Sequence, residues 1–325
     1  MSLVRTSDWD AIPAWIGGPA PTEWSDVANL ISAMSTAEAV ERGRLLGLAI
    51  ADVQAETSSA TWYETVARGP RRLVSAARPP VVVDLSALWA GPLCCDLLGR
   101  LGAIVIKVES TRRPDGARQG NGDFYARLNG GKHSVCLDFT SSEGRGLLLG
   151  LIERADIVIE SARPRALRQL GIDAEAIVQR TPGLSWIAVS GYGRREPQAG
   201  WAAFGDDAGA GAGLSRLMRE VYGDWLFCGD AIADPLTGLH AALVAWASWL
   251  EGEAVLQSVS LHGVIANVVA FDGNIGIAKR RHRTANWAKL AAAYDGPPYP
   301  LPQSRGPAEP MGASNARLFG GEGPC

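Results

Sequence analysis

The chain has 325 residues, a formal net charge of -3 and five cysteines, and its length predicts one large or two modest domains with a substantial core. The weakly acidic charge gives no electrostatic signature of nucleic-acid binding, and no apolar run approaches the ~20 residues that span a bilayer. No C-x-x-C pair or secretory apolar segment is present. We therefore expect a cytoplasmic protein with no metal site, no nucleic-acid partner and no membrane partner.

Residues 1–78 predict a mostly helical accessory region. Ser35 and Glu38 form a capping-box pattern at the start of a helix that we expect to end near Leu46. A second helix is predicted near residues 60–66. The region offers no constellation of side chains that indicates chemistry.

After Pro80 the pattern changes to short apolar runs rich in Val and Ile, separated by helical segments. The predicted strands begin near Val81, Ala103, Ser134, Asp156, Leu184 and Leu256, and the predicted helices between them begin near Ala90, Thr140, Pro164 and Ala174. This alternation predicts a Rossmann-like, doubly wound parallel α/β domain over residues 79–275. Residues 276–325 are predicted to form an extended C-terminal arm.

Ligands of doubly wound sheets bind at the carboxyl ends of the strands. No G-x-G-x-x-G pattern follows the first strand, which argues against a nicotinamide or flavin dinucleotide. Arg112, Arg113 and Lys132 fall between strands, where a solvated basic loop and a phosphate-binding loop both fit the pattern. The Gly- and Ala-rich stretch from Trp201 to Leu214 is expected to form a close-packed turn or a substrate-contacting loop.

Asp234 precedes Pro235 and the apolar run that follows it. Asp before Pro is typical of a helix N-terminus, where Asp caps the helix. The same position also keeps a carboxylate ionised through the helix dipole, and an ionised carboxylate can act as a nucleophile on an activated carbonyl. The local pattern alone leaves both interpretations open.

Several ordered motifs together resemble the family III CoA-transferases (the CaiB/BaiF family). They are Val82–Ser86 with Ala90-Gly91-Pro92, Leu101–Glu109, Asn129–Asp138, Ala155–Pro164, Ser190–Gly193 and the Asp234 segment. The resemblance implies a CoA-transferase that moves CoA between an acyl-CoA and a carboxylic acid, with an aspartate forming a mixed anhydride. Coenzyme A then enters as a substrate, and no cofactor is bound permanently.

The resemblance also assigns site residues. The family pattern Asp-x-x-x-Gly places the nucleophile on Asp234, with Asp230 as the competing carboxylate. The residues expected to contact CoA are Ser110, Arg112, Arg113, Lys132, Ser161, Ala162, Arg163 and Arg168. Trp89 and Gly238 are expected to position the substrate.

The architecture differs from the family pattern. The small domain that usually follows the large one is short here, while residues 36–53 resemble part of it but precede the large domain. Residues 307–313 resemble the terminal arm of the family, arriving early, and Gly320–Gly323 is a poor match to its Gly-rich covering loop. The resemblance implies an interlocked homodimer, with a catalytic homologue as another possible partner.

Two other functions remain open. A 2-methylacyl-CoA racemase of the same family uses a His and an Asp as acid and base, but Phe204-Gly205-Asp206 stands where its Gly-His-Asp pattern would be. The other is a non-catalytic CoA-binding or partner subunit. The short accessory region and the altered Ser161–Pro164 motif favour it.

Overall fold

A computed structural model of the protein describes residues 1–55, 61–73, 78–271, 275–296 and 302–320. Seven strands and fourteen α-helices lie in these ranges. In chain order they are α1 (Thr6–Ile16), α2 (Trp24–Ile31), α3 (Thr36–Leu45), β1 (Tyr63–Gly69), β2 (Val81–Leu85), α4 (Ala90–Arg100), β3 (Ile104–Ser110), α5 (Gly122–Asn129), β4 (His133–Leu137), α6 (Ser142–Arg154), β5 (Ile157–Glu160), α7 (Pro164–Gln169), α8 (Ala174–Arg180), β6 (Ser185–Ser190), α9 (Gly205–Gly211), α10 (Leu214–Tyr222), α11 (Ala233–Leu250), β7 (Ala254–Ser260), α12 (Leu261–Phe271), α13 (Ile277–Ala293) and α14 (Asn315–Phe319).

The chain divides into two compact units, and each is discontinuous in sequence. Unit 1 comprises Met1–Trp62, Gly191–Asp234 and Ser260–Pro297, and unit 2 comprises Tyr63–Ser190, Pro235–Val259 and Pro298–Cys325. These units cross the boundaries predicted at residues 78 and 275. The difference arises because long-range contacts, which sequence order does not reveal, assign distant segments to one unit.

Unit 2 contains a seven-stranded sheet of order β1-β7-β6-β5-β2-β3-β4. Strand β2 pairs in parallel with β3 and β5, and further parallel pairs join β3 to β4 and β5 to β6. From β2 the chain moves outward through β3 and β4 on one side and through β5 and β6 on the other. The predicted doubly wound α/β sheet is confirmed, and its strand order reverses between β2 and β5.

Strands β2 to β7 are buried along most of their length, as their continuous apolar runs predict. Val83, Val135 and Val158 join Leu148 and Ile152 of α6 in one core cluster. Trp186 is fully buried in the same cluster and donates its indole N–H to Glu160 Oε1 at 3.2 Å. Packing of helices on the sheet therefore fixes the strand ends that position the site.

The helices of unit 1 have a separate core. Ile12 and Trp15 of α1 pack with Val27 of α2 and Val40 of α3, and Trp15 donates its indole N–H to Ala39 O at 2.8 Å. The predicted cap of α3 is confirmed, because Ser35 Oγ accepts the N–H of Glu38 at 3.2 Å. Of the helices in the described part of the chain, none combines the length and the apolar character needed to cross a bilayer.

The helix predicted near residues 60–66 is wrong for the described residues, since Tyr63–Gly69 forms β1; residue 60 lies outside them. This strand pairs antiparallel with β7, and tertiary pairing of this kind overrides weak local propensity. The loop predicted for residues 201–214 is also wrong, because α9 occupies its centre. Its Gly and Ala residues permit close approach: a β-carbon on Gly211 would lie 2.7 Å from Ala51 Cβ.

Two helix starts differ by one residue from the predictions. Ser141, rather than Thr140, caps α6 by accepting the N–H of Gly144 at 2.9 Å. Helix α11 begins at Ala233, so Asp234 lies in its first turn instead of preceding it. Caps are set by which side chain reaches the free N–H groups, and adjacent Ser, Thr or Asp residues make that choice ambiguous in sequence.

The C-terminal region is not simply extended, as α13 occupies Ile277–Ala293. Further along, Glu309 and Asn315 contact β4 at the edge of the sheet. Glu309 Oε2 accepts the N–H of Ser134 at 2.8 Å, and the Asn315 side chain forms hydrogen bonds of 3.0 and 2.8 Å with the N–H and C=O of Cys136. Residues 321–323 of the candidate Gly-rich loop lie outside the described residues.

Candidate functional site

The turn Ser86–Trp89 follows β2 at the point where the strand order of unit 2 reverses. Ligands of doubly wound sheets bind at such a point, outside the carboxyl ends of the strands. Side chains from two strand ends fix this turn: Asp84 Oδ1 accepts the N–H of Ser86 at 3.0 Å, and Ser161 Oγ accepts that of Ala87 at 3.1 Å. The turn is therefore an ordered wall of the predicted ligand crevice.

A chain of buried ion pairs lies beneath this turn. Asp84 is fully buried, and its Oδ2 accepts a hydrogen bond from Lys132 Nζ at 2.9 Å. Burial acts to raise the pKa of Asp84, but the ammonium groups of Lys132 and Lys107 outweigh it and lower the pKa to about 2. Burial likewise acts to lower the pKa of Lys107, and the carboxylates of Asp84 and Asp115 raise it. Asp84 and Lys107 therefore stay charged and serve as fixed anchors.

Most residues predicted to contact CoA lie on the two loops beside the turn. Ser110 ends β3 and is followed by the exposed side chains of Arg112 and Arg113. Ser161 and Arg163 follow β5 and are also exposed, with half-buried Ala162 between them. Because β3 and β5 flank β2, these loops border the Ser86–Trp89 turn on both sides, as expected from the strand order.

Arg168 lies apart from the strand ends, in the last turn of α7. Its guanidinium is exposed and pairs with Glu175 Oε1 at 3.1 Å. An exposed ion pair of this kind is weak, so it leaves the guanidinium available to a stronger anion. Arg168 remains a predicted CoA contact on the resemblance alone.

Lys132 requires a correction, because the structure gives it neither a surface position nor a free donor. It precedes β4 at the amino end of that strand and is 2% exposed. Its Nζ donates to Asp84 Oδ2, Pro92 O and Asn129 Oδ1 at 2.9, 2.9 and 3.1 Å. A lysine ammonium has three protons, so all are used internally and none is left for a phosphate.

Gly238 and Trp89 were both predicted to position the substrate. A β-carbon on Gly238 would lie 2.7 Å from Ala90 O and 3.1 Å from Leu93 Cβ, so packing of α11 on α4 already requires glycine there. Trp89 is half-buried and packs edge-on against Phe124, with ring centroids 5.0 Å apart. Its place at the end of the Ser86–Trp89 turn keeps Trp89 as the stronger candidate for a substrate contact.

Asp234 belongs to unit 1, whose boundary falls after it within α11. Its side chain is half-buried, and its N–H donates to Ala231 O at 2.8 Å. Gly205 packs closely on this turn, because a β-carbon there would lie 2.4 Å from Asp234 Oδ2 and 2.3 Å from Ala231 O. Ala231 has φ of 45°, and Asp206 Oδ1 accepts its N–H at 2.9 Å. The turn before α11 is thus held in a strained conformation.

Asp230 and Asp207 of unit 1 are the other carboxylates to compare with Asp234 as a nucleophile. Asp230 is exposed, and Asp207 is 1% exposed. Asp207 Oδ1 accepts the N–H of Phe204 at 2.8 Å and the hydroxyl of Ser2 at 3.1 Å, while Oδ2 has no hydrogen-bond partner among the described residues. Burial raises the pKa of Asp207 to about 6. A nucleophile must be ionised and reachable, which favours Asp234 over Asp207.

Sequence reasoning missed the anchors Lys107, Glu109 and Asp115. Among them, Glu109 Oε2 pairs with the Arg118 guanidinium at 2.6 Å. A signal was present, because Lys107 and Glu109 interrupt an apolar strand pattern, and a charge in a buried strand needs a partner. In the described residues no group of three or more His, Cys, Asp or Glu side chains is arranged to hold a metal ion.

Curated relatives of known name match part of the chain. An acyl-CoA transferase of Fusarium pseudograminearum is 32% identical over 181 residues, which are 50% of this chain and 40% of that protein. A succinyl-CoA–D-citramalate CoA-transferase of Chloroflexus aurantiacus is 33% identical over 185 residues, 53% and 46% of the two chains. The chain therefore spans less than half the length of these two relatives.

Solved structures resemble the fold of this protein over about two thirds of its chain. A hypothetical protein (Rv3272) of Mycobacterium tuberculosis aligns with a TM-score of 0.55 and 27% identity, covering 63% of this chain and 59% of that one. A CaiB/BaiF family protein of Brucella suis aligns with a TM-score of 0.53 and 27% identity, covering 67% and 58%.

The model of CoA-transferase family III matches residues 80–273, which are more than half of the chain. This range contains the sheet from β2 to β7, the Ser86–Trp89 turn and Asp234. The protein belongs to CoA-transferase family III.

Proposed function

We propose that the protein moves CoA between an acyl-CoA thioester and a carboxylic acid, with Asp234 as the nucleophile. Membership of CoA-transferase family III supports the reaction class. The observation that carries the assignment of Asp234 is its half-buried carboxylate in the first turn of the long helix α11. Free N–H groups and the helix dipole favour an anion at this position.

In the proposed reaction the Asp234 carboxylate attacks the thioester carbonyl, forming an acyl anhydride and releasing CoA thiolate. The thiolate attacks the aspartyl carbonyl, which releases the donor as a carboxylate and leaves an aspartyl-CoA thioester. The acceptor carboxylate then repeats these steps in reverse, giving the new acyl-CoA and free Asp234. Bonds and charges balance, and no metal or redox step is needed.

Hydroxylamine trapping with peptide mass spectrometry tests this proposal. The protein is incubated with a panel of acyl-CoAs and then with hydroxylamine, which converts an aspartyl thioester or anhydride into an aspartyl hydroxamate. We expect the hydroxamate at Asp234 in the wild type and in Asp230→Asn, and none in Asp234→Asn. A hydroxamate at Asp206, Asp207 or Asp230 would overturn the assignment of Asp234 but retain the transferase chemistry.

A non-catalytic CoA-binding subunit is the second candidate. It is favoured by the internal use of Lys132, whose ammonium donates to three acceptors within the protein. Isothermal titration with CoA and the trapping experiment separate the two functions. Binding of CoA with no hydroxamate and no exchange of labelled CoA between acyl groups would support the non-catalytic subunit and contradict the proposed transferase activity.

A further inference from the structure

Leu88, in the turn after β2, has an unusual backbone conformation. Its φ is 70°, in the left-handed region that a β-carbon disfavours. The side chain is 40% exposed, so burial of its own apolar surface does not explain the strain. A strained residue persists only where its surroundings fix it, and such residues cluster at binding sites.

The N–H of Leu88 is fixed by Asp115, which follows β3. Asp115 Oδ1 accepts this N–H at 3.0 Å, and it also accepts the N–H of Ala117 at 3.0 Å. Asp115 Oδ2 accepts a hydrogen bond from Lys107 Nζ at 2.8 Å, and the same Nζ donates to Ser86 O at 3.0 Å. One carboxylate thus joins the strained residue to the buried ion pairs beneath the turn.

Burial makes this anchor rigid. Asp115 is 3% exposed and Lys107 is 1% exposed, and a hydrogen bond between buried charged groups is stronger than one between neutral groups. Asp115 is itself fixed, because its N–H donates to Glu109 Oε1 at 2.9 Å. The corner of Leu88 and Trp89 therefore presents two apolar side chains at the switch point of the sheet.

We propose that Asp115 is a positioning residue that holds the Leu88–Trp89 corner in its strained form so that it contacts the pantetheine portion of CoA and of an acyl-CoA. This role rests on the proposed function, since it needs a CoA thioester at the switch point. Asp115 acts through Leu88 and contacts no ligand itself. The competing interpretation is that Asp115 only stabilises the fold.

Asp115→Asn distinguishes these roles because asparagine has one acceptor oxygen. Lys107 is a buried cation and attracts that oxygen, so the amide NH2 group then faces the N–H groups of Leu88 and Ala117. The corner loses its acceptor while the side-chain volume is kept. Asp123→Asn is the matched control, since Asp123 is exposed in the first turn of α5.

The decisive experiment is a double-mutant cycle with Leu88→Gly, read as the Kd for CoA by isothermal titration. Glycine adopts positive φ without cost, so the corner needs less support from Asp115 in that background. We expect Asp115→Asn to weaken CoA binding about tenfold with Leu88 present and less than about threefold with Gly at position 88. Equal factors in both backgrounds would overturn the positioning role.

A second pair of variants keeps the test decisive if Asp115→Asn does not fold. Leu88→Met keeps an apolar side chain that is unbranched at Cβ, whereas Leu88→Val adds the β-branching that positive φ tolerates worst. We expect Met to preserve CoA affinity and Val to weaken it, and equal affinities would refute the role. If the wild type binds no CoA, both the proposed function and this role of Asp115 are overturned. If it binds CoA but Asp115→Asn weakens binding by the same factor in both backgrounds, this role alone is overturned.

Discussion

Whether a charged residue can make its predicted ligand contact depends on whether a buried ion pair already engages it, and Lys132 is the example. Lys132 appears in sequence as part of a basic loop, and only the structure shows that Asp84, 48 positions earlier in the chain, accepts a hydrogen bond from its ammonium group. An isolated buried charge is costly, so Asp84 and Lys132 must pair. Sequence reveals the residue types that need partners, but the partner is set by long-range packing. The prediction failed for Lys132 because the same side chain suits a phosphate or a carboxylate.

Asp207 gives a prediction on pH and stability. Its pKa is raised to about 6 from 3.8 in the unfolded chain, so the folded state favours the protonated form. Its contribution to stability is complete below about pH 4 and is lost as the pH rises through about 6. Asp207→Asn should therefore raise the free energy of unfolding at pH 7.5 by up to about 3 kcal/mol, at about 1.4 kcal/mol for each pKa unit.

Urea unfolding of wild type and Asp207→Asn at pH 4 and pH 7.5 measures this effect. The variant should gain stability at pH 7.5 and little at pH 4. Asp224→Asn, at an exposed position of the same unit, should show no such difference. The same stability change at both pH values would contradict the raised pKa as its source.

At the scale of elements, periodicity predicted the central βα units well. Strands β2 to β7 and helices α4 and α6 lie within a few residues of their predicted positions, because buried parallel strands carry continuous apolar runs. The failures, β1 and α9, have weak local patterns. Strand β1 is defined by its pairing with β7. Helix α9 is rich in glycine, whose low helix propensity argues against a helix in the sequence, and its close packing with α12 stabilises it.

Gly238 and Gly146 form a matched pair of helix glycines. A β-carbon on Gly238 would lie 2.7 Å from Ala90 O, whereas one on Gly146 would meet nothing within 4 Å. Gly238→Ala should destabilise unit 2 by about 1–3 kcal/mol through overpacking of α11 against α4. Gly146→Ala, at an exposed position of α6, should stabilise it by up to about 1 kcal/mol.

Chemical denaturation of both variants, followed by circular dichroism, checks this pair. Opposite signs are expected. Destabilisation by both substitutions would mean that backbone freedom, and not the contact with α4, is the reason for glycine at position 238. Equal stabilisation would show that the helices separate at little cost.

At the scale of the whole molecule, sequence order is a poor guide to which segments share a compact unit. Family resemblance and strand pattern locate the large sheet, but β1 comes from the predicted accessory region and residues 302–320 contact β4 from the far end of the chain. These contacts depend on a few polar side chains at a sheet edge. No periodic pattern in the sequence indicates them, so hydrophobic periodicity does not predict the docking of the C-terminal segment.

The side chain of Asn315 binds the C-terminal segment to the edge strand β4. Its Oδ1 accepts the N–H of Cys136 at 3.0 Å and its Nδ2 donates to the C=O of Cys136 at 2.8 Å, so the amide mimics a neighbouring strand along β4. Asn315→Ala would remove both of these hydrogen bonds from the backbone of an edge strand. We expect a loss of about 1–3 kcal/mol in the free energy of unfolding and faster amide exchange at β4.

Gln179→Ala removes an exposed amide from α8 in the same unit, and it should change neither quantity. Exchange measured by mass spectrometry must report β4 separately from the central strand β2, which the substitution leaves paired on both sides. If Asn315→Ala lowered global stability while β4 and β2 exchanged in step, the segment would act on the whole sheet. Faster exchange confined to β4 would show that the C-terminal segment protects the edge alone, as the two hydrogen bonds imply.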